Sequence, residues 1–176
     1  MRYRLLSLIL MMMLALTALA ARFEPSDEFR YLPSSPSLLP AFQEDIAFIV
    51  NKSNTTDAMT LAELRNIFLA ERNRWPNGRK ITITMLEAGN PEREVVLRTI
   101  CRMREADFNR NFLRVKFTGE TTEEPRLLAS PTNMVRFVFN APGAIGYVRA
   151  SSVDGSVKVL RIDGLAPGEP GYKIKL

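Results

Sequence analysis

The strongest pattern of apolar and polar positions lies in residues 81–103, ITITMLEAGNPEREVVLRTICRM. Its first residues alternate, with apolar side chains at Ile81, Ile83 and Met85, and predict a strand with one buried face. Its last part carries apolar residues at the spacing of a buried helical stripe: Val96, Leu97, Ile100 and Met103. The pattern therefore predicts a strand, a short turn and a helix.

The turn between this strand and helix is suited to an anion. Asn90 is a favoured residue just before a helix, and Pro91 fits the first helical position, where its missing N–H would be unpaired anyway. A strand that leads through Gly89 into a helix N-terminus aims free N–H groups and the positive end of a helix dipole at one point. An ordinary strand-to-helix connection has the same local pattern, so both interpretations stay open.

Further strands and helices alternate along the chain. Residues 46–50, IAFIV, predict a buried strand, and Thr60 with Glu63 forms a capping box at the start of a helix. The remaining predictions are a helix beyond Arg104, a helix from Ser130 to about Phe139, a strand over 144–148 and a last strand over 157–162. This alternation implies an α/β sheet with helices packed on it.

Residues 1–20 have the pattern of a secretory signal peptide. Arg2 and Arg4 form a basic start, residues 5–19 are almost all apolar, and residues 18–20 supply small side chains at the spacing of a signal-peptidase site. The apolar run is shorter than the roughly 18–20 residues of a spanning helix. We therefore expect cleavage after about residue 20 and no membrane span afterwards. The alternative is a retained N-terminal anchor.

The rest of the chain divides by composition into three parts. Residues 21–43 are rich in Pro and Ser and are expected to form an N-terminal arm. Residues 44–165 carry the predicted strands and helices and are expected to form one domain. Residues 166–176, with two Pro-Gly pairs, are expected to be a loosely held C-terminal tail.

Charge and residue usage exclude several classes of function. Without Arg2 and Arg4 the chain has 22 basic and 19 acidic residues, a net charge of +3, and the basic residues are scattered. Nucleic-acid binding is therefore not indicated. The chain has no His, which excludes Ser–His and Cys–His nucleophiles and His-ligated zinc sites. We expect no cofactor, no metal site and no enzymatic activity.

The single cysteine, Cys101, lies beside Leu97 and Ile100 in the predicted helix. A small buried hydrophobe is the favoured interpretation, and a reactive thiol is the alternative. Gly143 and Gly146 do not form a dinucleotide motif, because the segment leads into a strand and not a helix. Their expected role is a tight turn and close packing of that strand.

Four strings in this order resemble the PstS-like family of type 2 periplasmic substrate-binding proteins. They are IAFIVNKSN (46–54), TLAELRNIFLAERNRWPNG (60–78), FTG (117–119) and PGAIGYV (142–148). The chain is similar to the short proteins grouped with phosphate transporter substrate-binding proteins. The resemblance implies a non-enzymatic, solute-binding-like protein of the periplasm. It also implies a single lobe of the type 2 periplasmic binding protein-like fold, an α/β lobe with a mixed central sheet flanked by helices. Full-length members have two lobes that close on a ligand, whereas this chain has length for about one.

The turn at residues 85–91 departs from that family. In phosphate-binding members the corresponding loop resembles an Arg followed closely by Ser-Gly-Thr. Here the Arg position is apolar, and the Ser and Thr positions carry Gly89 and Pro91. Glu87 places a negative charge nearby, which opposes an anion by roughly 1 kcal/mol or more, whereas an exposed helix dipole contributes about 0.3–1 kcal/mol. We therefore predict an altered or lost anion site without tight binding of inorganic phosphate.

Polar turns that lie at or beside the carboxyl ends of strands are the candidate ligand-binding segments, because open α/β sheets bind ligands there. The candidate residues are Asn51, Ser53, Asn54, Gly89, Asn90, Thr118 and Gly119. Ordinary solvated turns are the alternative at each position. The expected ligand is a small oxyanion or another small solute. The alternative function is a periplasmic interaction or accessory module that has lost the small ligand and binds a protein partner, or a second copy, through the exposed face of the lobe.

Overall fold

The computed structural model describes residues 44–117 and 124–176, and in these residues five strands form one mixed sheet with helices packed against it. The strands are β1 (Ile46–Val50), β2 (Ala58–Met59), β3 (Thr82–Leu86), β4 (Arg126–Leu128), β5 (Ala144–Arg149), β6 (Lys158–Val159) and β7 (Arg161–Ile162). The α-helices are α1 (Leu61–Phe68), α2 (Pro91–Val96), α3 (Glu105–Phe117) and α4 (Pro131–Asn140). The predicted α/β class is confirmed. The predicted signal peptide and N-terminal arm lie outside the described residues.

The order of strands in the sheet is β4-β3-β5-β1-β6. β3 is parallel to β4 and β5, whereas β1 is antiparallel to β5 and β6. The register places Ile46 opposite Arg149 and Val50 opposite Ile145. The start of β1 therefore lies at the edge where β3 and β5 end. β2 and β7 form a separate parallel pair.

β1 and β5 form the centre of the core because both are almost entirely apolar. All five residues of β1 and the first five of β5 are buried, as expected for strands covered on both faces. The rings of Phe48, Phe68 and Tyr147 pack with centroids 5.8–6.2 Å apart and join β1, α1 and β5. Such tilted aromatic contacts add to the stabilisation from buried area.

Gly143 and Gly146 have the packing role that the sequence predicted. A Cβ at Gly146 would lie 2.4 Å from the sulfur of Met134 and 2.6 Å from Oγ1 of Thr84. A Cβ at Gly143 would lie 2.3 Å from the carbonyl oxygen of Lys80. The two glycines thus allow α4 and the chain before β3 to approach β5 closely.

The helix predicted through residue 103 has a break in the structure. α2 ends at Val96 and continues as a π-helical segment, Leu97–Cys101, after which Arg102 adopts a left-handed backbone. The N–H of Met103 then bonds the Leu97 carbonyl at 3.0 Å. The apolar stripe is nevertheless buried along α2 and the π segment, so the pattern predicted the buried face correctly and the regularity of the helix incorrectly.

The C-terminal tail differs from the expectation that it is loosely held. Tyr172 and Ile174 are buried. The Tyr172 hydroxyl donates to the Ile46 carbonyl at 2.6 Å, and the N–H of Ile46 donates to the Ile174 carbonyl at 2.9 Å. The tail packs because two spaced apolar side chains enter the core while the Pro-Gly pairs only turn the chain.

The single strand expected over 157–162 is divided in the structure into two short strands, β6 and β7.

Candidate functional site

The turn after β3 follows the predicted path from strand to helix, but its side chains are used differently. Gly89 has φ +89°, and Asn90 has the extended backbone of an N-cap residue. The Asn90 side chain does not cap the helix, because its Nδ2 donates back to the Glu87 carbonyl at 2.8 Å. Pro91 occupies the first turn as predicted. The predicted start of the helix is therefore confirmed, whereas the expected capping hydrogen bond of the Asn90 side chain is absent.

Several backbone N–H groups of this turn are already bonded within the chain. The N–H of Asn90 donates to the Glu87 carbonyl at 3.4 Å. The N–H groups of Arg93 and Glu94 both donate to the Asn90 carbonyl, at 3.1 Å and 3.2 Å. Pro91 has no N–H to offer. The turn therefore keeps fewer donors for an anion than an open helix start would.

A buried carboxylate lies in the first turn of α2. The side chain of Glu92 is 4% exposed, and its Oε1 accepts from Nε of Arg149 at 2.5 Å. Arg149 ends β5 and also pairs with Glu44 at 3.4 Å. The ion pair with Glu92 is the main cause that raises the pKa of the Arg149 guanidinium. A negative charge is favourable at a helix N-terminus, and in this protein the Glu92 carboxylate provides that charge.

The next residue, Arg93, is a buried cation with a complete set of partners. Its guanidinium, 3% exposed, donates to both carboxylate oxygens of Glu105, at 2.8 Å and 2.6 Å, and to the Leu86 carbonyl at 2.7 Å. The same group lies 5.7 Å from the ring centre of Phe108. The hydrogen bond from Arg93 is the main cause that lowers the pKa of Glu105. This two-pronged pair ties α3 to the end of β3. Sequence reasoning missed it, because no spacing rule relates two residues across a π-helical segment.

The polar turn 51–54 lies at the opposite edge of the sheet from Gly89 and Asn90. β1 is antiparallel to β5, so its carboxyl end lies beside the start of β3. Five residues at about 3.3 Å each separate the two turns by roughly 15 Å. Each turn follows the carboxyl end of a strand, as expected, but the structure does not bring the candidate residues of the two turns together.

The three candidate side chains of this turn each make a hydrogen bond inside the fold, although Nδ2 of the buried Asn54 has no partner. Asn51 Nδ2 donates to the carbonyls of Val138 and Phe139, at 3.1 Å and 2.5 Å, and so satisfies the end of α4. Ser53 accepts a hydrogen bond from a nearby arginine. Asn54 is buried, and its Oδ1 accepts from the backbone two residues on. Ligand contacts by these residues stay a prediction. The last two candidates lie outside the described residues: Thr118 and Gly119.

Two grooves adjoin the turn after β3. One, of about 870 Å³, is lined by Ala88 and Gly89 together with residues of α2, the π segment and the start of α3. The other, of about 390 Å³, contains the exposed side chains of Leu113 and Leu127. Both grooves are of the size in which proteins bind small molecules or short segments.

The single cysteine lies in the core. Cys101 is fully buried, and burial raises the pKa of its thiol to about 12. The interpretation as a small buried hydrophobe is confirmed. Within residues 44–117 and 124–176, no group of three or more His, Cys, Asp or Glu side chains could hold a metal ion. In the same residues, no helix has the length and hydropathy needed to cross a membrane.

The fold is of the periplasmic binding protein type, and structural comparison confirms the predicted resemblance. The chain is similar to a proposed phosphate ABC transporter substrate-binding protein with bound phosphate from Clostridium perfringens (TM-score 0.62, 22% identity, covering 75% of this chain and 52% of that one). It is also similar to PstS from Borrelia burgdorferi (TM-score 0.60, 14% identity, 75% and 54%). A third neighbour is an ABC-type phosphate transport receptor from Vibrio cholerae (TM-score 0.53, 20% identity, 70% and 48%).

These comparisons establish the fold. The chain spans about half the length of the proteins it matches. No protein-family model matches its sequence.

Proposed function

We propose that this chain is a non-enzymatic, exported, solute-binding-like protein of the periplasm, related to phosphate transporter substrate-binding proteins, whose anion site at the turn after β3 is altered. The shared fold and the predicted signal peptide support the solute-binding relationship. The observation that best supports an altered anion site is the ion pair between Glu92 and Arg149.

The ion pair opposes phosphate at this helix start for an electrostatic reason. Arg149, the cation next to the first turn of α2, already has two carboxylate partners, Glu92 and Glu44. Glu92, Glu44 and Arg149 together carry a net charge of −1, and a phosphate held about 4 Å from a unit negative charge is repelled by ~4 kcal/mol per unit charge at an effective dielectric constant of about 20. The helix dipole returns only about 0.3–1 kcal/mol. Repulsion therefore exceeds attraction at this position.

Calorimetric titration of the protein with inorganic phosphate tests the proposal. We expect no sub-micromolar binding by the wild-type protein. Glu92→Gln removes the negative charge and leaves Arg149 one carboxylate partner, so phosphate affinity should rise by ~10-fold or more. Glu71→Gln is the control, because it removes the same charge from an exposed position that lines neither groove beside the turn. Sub-micromolar binding by the wild type, or an equal response of both variants, would contradict the proposal.

A second candidate function is association with a second copy of the chain. Leu113 and Leu127 are 54% and 56% exposed and line one groove with Phe108 and Phe112. Apolar side chains grouped in this way often mark a surface for protein association. Size-exclusion chromatography with light scattering should then show a dimer that Leu127→Lys dissociates. Phe139→Lys, at an exposed apolar residue elsewhere, is the control. A wild-type protein that stays monomeric at all concentrations would count against this function.

A further inference from the structure

Four arginines line two adjoining grooves, the larger of which includes residues of the turn after β3. The larger groove, of about 870 Å³, is lined by Arg98, Arg102 and Arg104. A neighbouring groove, of about 410 Å³, is lined by Arg65 and again by Arg102. Because Arg102 belongs to both, the two grooves adjoin at this residue. We refer to these four residues as the arginine cluster.

The guanidinium groups of the arginine cluster are available for a ligand. Within the described parts of the chain, none of the four makes a side-chain hydrogen bond or ion pair, and Nε of Arg65 is buried without a partner. Other buried or half-buried arginines of the fold, such as Arg93 and Arg149, are fully engaged with carboxylates. The cluster therefore differs from the structural arginines of the same lobe.

The backbone at Arg102 adds an independent observation. Arg102 ends the π segment with φ 55° and ψ 41°, the left-handed conformation in which helices usually place glycine. A residue with a side chain at such a position is strained, and strain of this kind persists mostly where the surrounding structure or a function requires it. The chain thus keeps a cation at the junction of the two grooves where glycine would fit more easily.

The carboxylates that line the grooves do not neutralise the cluster. Glu105 is paired with Arg93, and Asp107 lies 3.6 Å from Arg110. Asp163 accepts a hydrogen bond from the backbone N–H that begins α1, at 3.0 Å. The described linings hold four arginines and four carboxylates, the fourth being Glu94, and two of these carboxylates are already paired with arginines outside the linings. The surface keeps a positive excess.

We propose that the arginine cluster binds a small polyanion that carries two or more negative charges and is larger than inorganic phosphate. Guanidinium groups bind carboxylate and phosphate oxygens in pairs of parallel hydrogen bonds, and several separated groups need a ligand with several separated charges. The larger groove has the volume of a typical small-molecule site, and Leu97 and Met103 give it an apolar wall. The proposal goes beyond the function proposed above, because this surface is separate from the Glu92–Arg149 pair.

Calorimetry on the full chain with three probes tests this site: pyrophosphate, citrate and inorganic phosphate. Pyrophosphate and citrate should bind at least ~10-fold more tightly than inorganic phosphate at low ionic strength, and 0.5 M NaCl (about a 4 Å Debye length) should weaken both. A stronger response to pyrophosphate would indicate a phosphorylated ligand, and one to citrate a polycarboxylate. Both results support a polyanion site.

Two variants separate binding from folding. Arg102→Gly removes a cation and relieves the left-handed strain, so it should weaken pyrophosphate binding by about 3- to 10-fold while the melting temperature stays the same or rises. Arg104→Gln should weaken binding similarly. Arg114→Gln, an equal charge change on an exposed part of α3 outside the grooves, should leave binding unchanged.

Absence of any preference for the multivalent probes would overturn the proposal, as would an equal loss of binding in Arg114→Gln. Either result would leave the proposal about the helix start intact, since the Glu92→Gln titration tests that position separately.

Discussion

Arg93 and Glu105 meet in two hydrogen bonds of 2.8 Å and 2.6 Å, although 12 residues and a π-helical segment separate them in the chain. The left-handed backbone of Arg102 turns the chain after the π segment, and α3 begins three residues later. The third hydrogen bond of Arg93 reaches the Leu86 carbonyl at the end of β3. One guanidinium therefore fixes the end of the strand and the start of α3 around the candidate turn.

Replacement of Arg93 by methionine should lower the free energy of unfolding by about 3 kcal/mol. The substitution removes the buried partner of a close ion pair and leaves the polar groups that bonded to it unsatisfied. The Leu86 carbonyl would lose the donor that reaches it from Arg93. Urea denaturation followed by circular dichroism measures the loss. Arg98→Met is the control, since Arg98 is exposed and has no ion-pair partner among the described residues. A loss below about 1 kcal/mol in Arg93→Met would show that the pair contributes little.

The same pair should make part of the stability depend on pH. Arg93 lowers the pKa of Glu105 below its usual 4.5, so the folded state favours the ionised carboxylate. This contribution is present above pH 4.5 and is lost as the pH falls through the lowered pKa. The Glu105 side chain is 39% exposed, so water screens the pair and the effect should stay below about 1 kcal/mol.

Urea midpoints at pH 7 and pH 3 for wild type and Glu105→Gln check this sign. The difference between the two proteins should shrink at pH 3. In the Arg93→Met background, Glu105→Gln should show a much smaller pH dependence, because the main cause of the lowered Glu105 pKa has been removed. A difference that persists at pH 3 in the wild-type background would exclude the ion pair as its origin.

Gly146→Ala should be strongly destabilising. The new Cβ would overlap the sulfur of Met134 and Oγ1 of Thr84, which is itself bonded to the Ile145 carbonyl at 2.6 Å. Overpacking of this kind costs about 1–3 kcal/mol or more. Thermal unfolding should show a clear decrease in melting temperature. Gly155→Ala is the matched control, because a Cβ there meets nothing within 4 Å. Equal melting temperatures for both variants would contradict the close packing of α4 on β5.

Ile174→Ala should reveal the tail as part of the core. Ile174 is buried, and its carbonyl accepts from the N–H of Ile46 at 2.9 Å. Truncation of a buried isoleucine costs about 3 kcal/mol, measurable as a shift in the urea midpoint. Lys173→Ala, at the exposed neighbouring position, should change stability by less than about 0.5 kcal/mol. An Ile174→Ala protein as stable as the Lys173→Ala control would restore the interpretation of a loosely held tail.

Local patterns predicted much of this fold because their causes are local. The uniformly apolar run 46–50 became a strand buried on both faces, and Thr60 with Glu63 formed the expected capping box, with reciprocal hydrogen bonds of 3.2 Å and 2.9 Å. The close packing predicted for Gly146 also followed from its place in an apolar strand. The candidate site was predicted less well. The backbone path through Gly89 was correct, whereas the Asn90 side chain bonds Glu87 and does not cap the helix.

The sequence by itself determined the α/β class and most strands and helices, and it predicted an altered anion site at the turn through Gly89. Only the tertiary structure decided which polar turns lie together. β1 runs antiparallel to β5, so Asn51 and Asn90 lie at opposite edges of the sheet. The direction in which strands pair depends on contacts between distant residues, and a local pattern of apolar positions does not encode it. The pairs Glu92–Arg149 and Arg93–Glu105 depend on distant contacts for the same reason. Ion pairs within the protein therefore hold the residues that follow this turn in place.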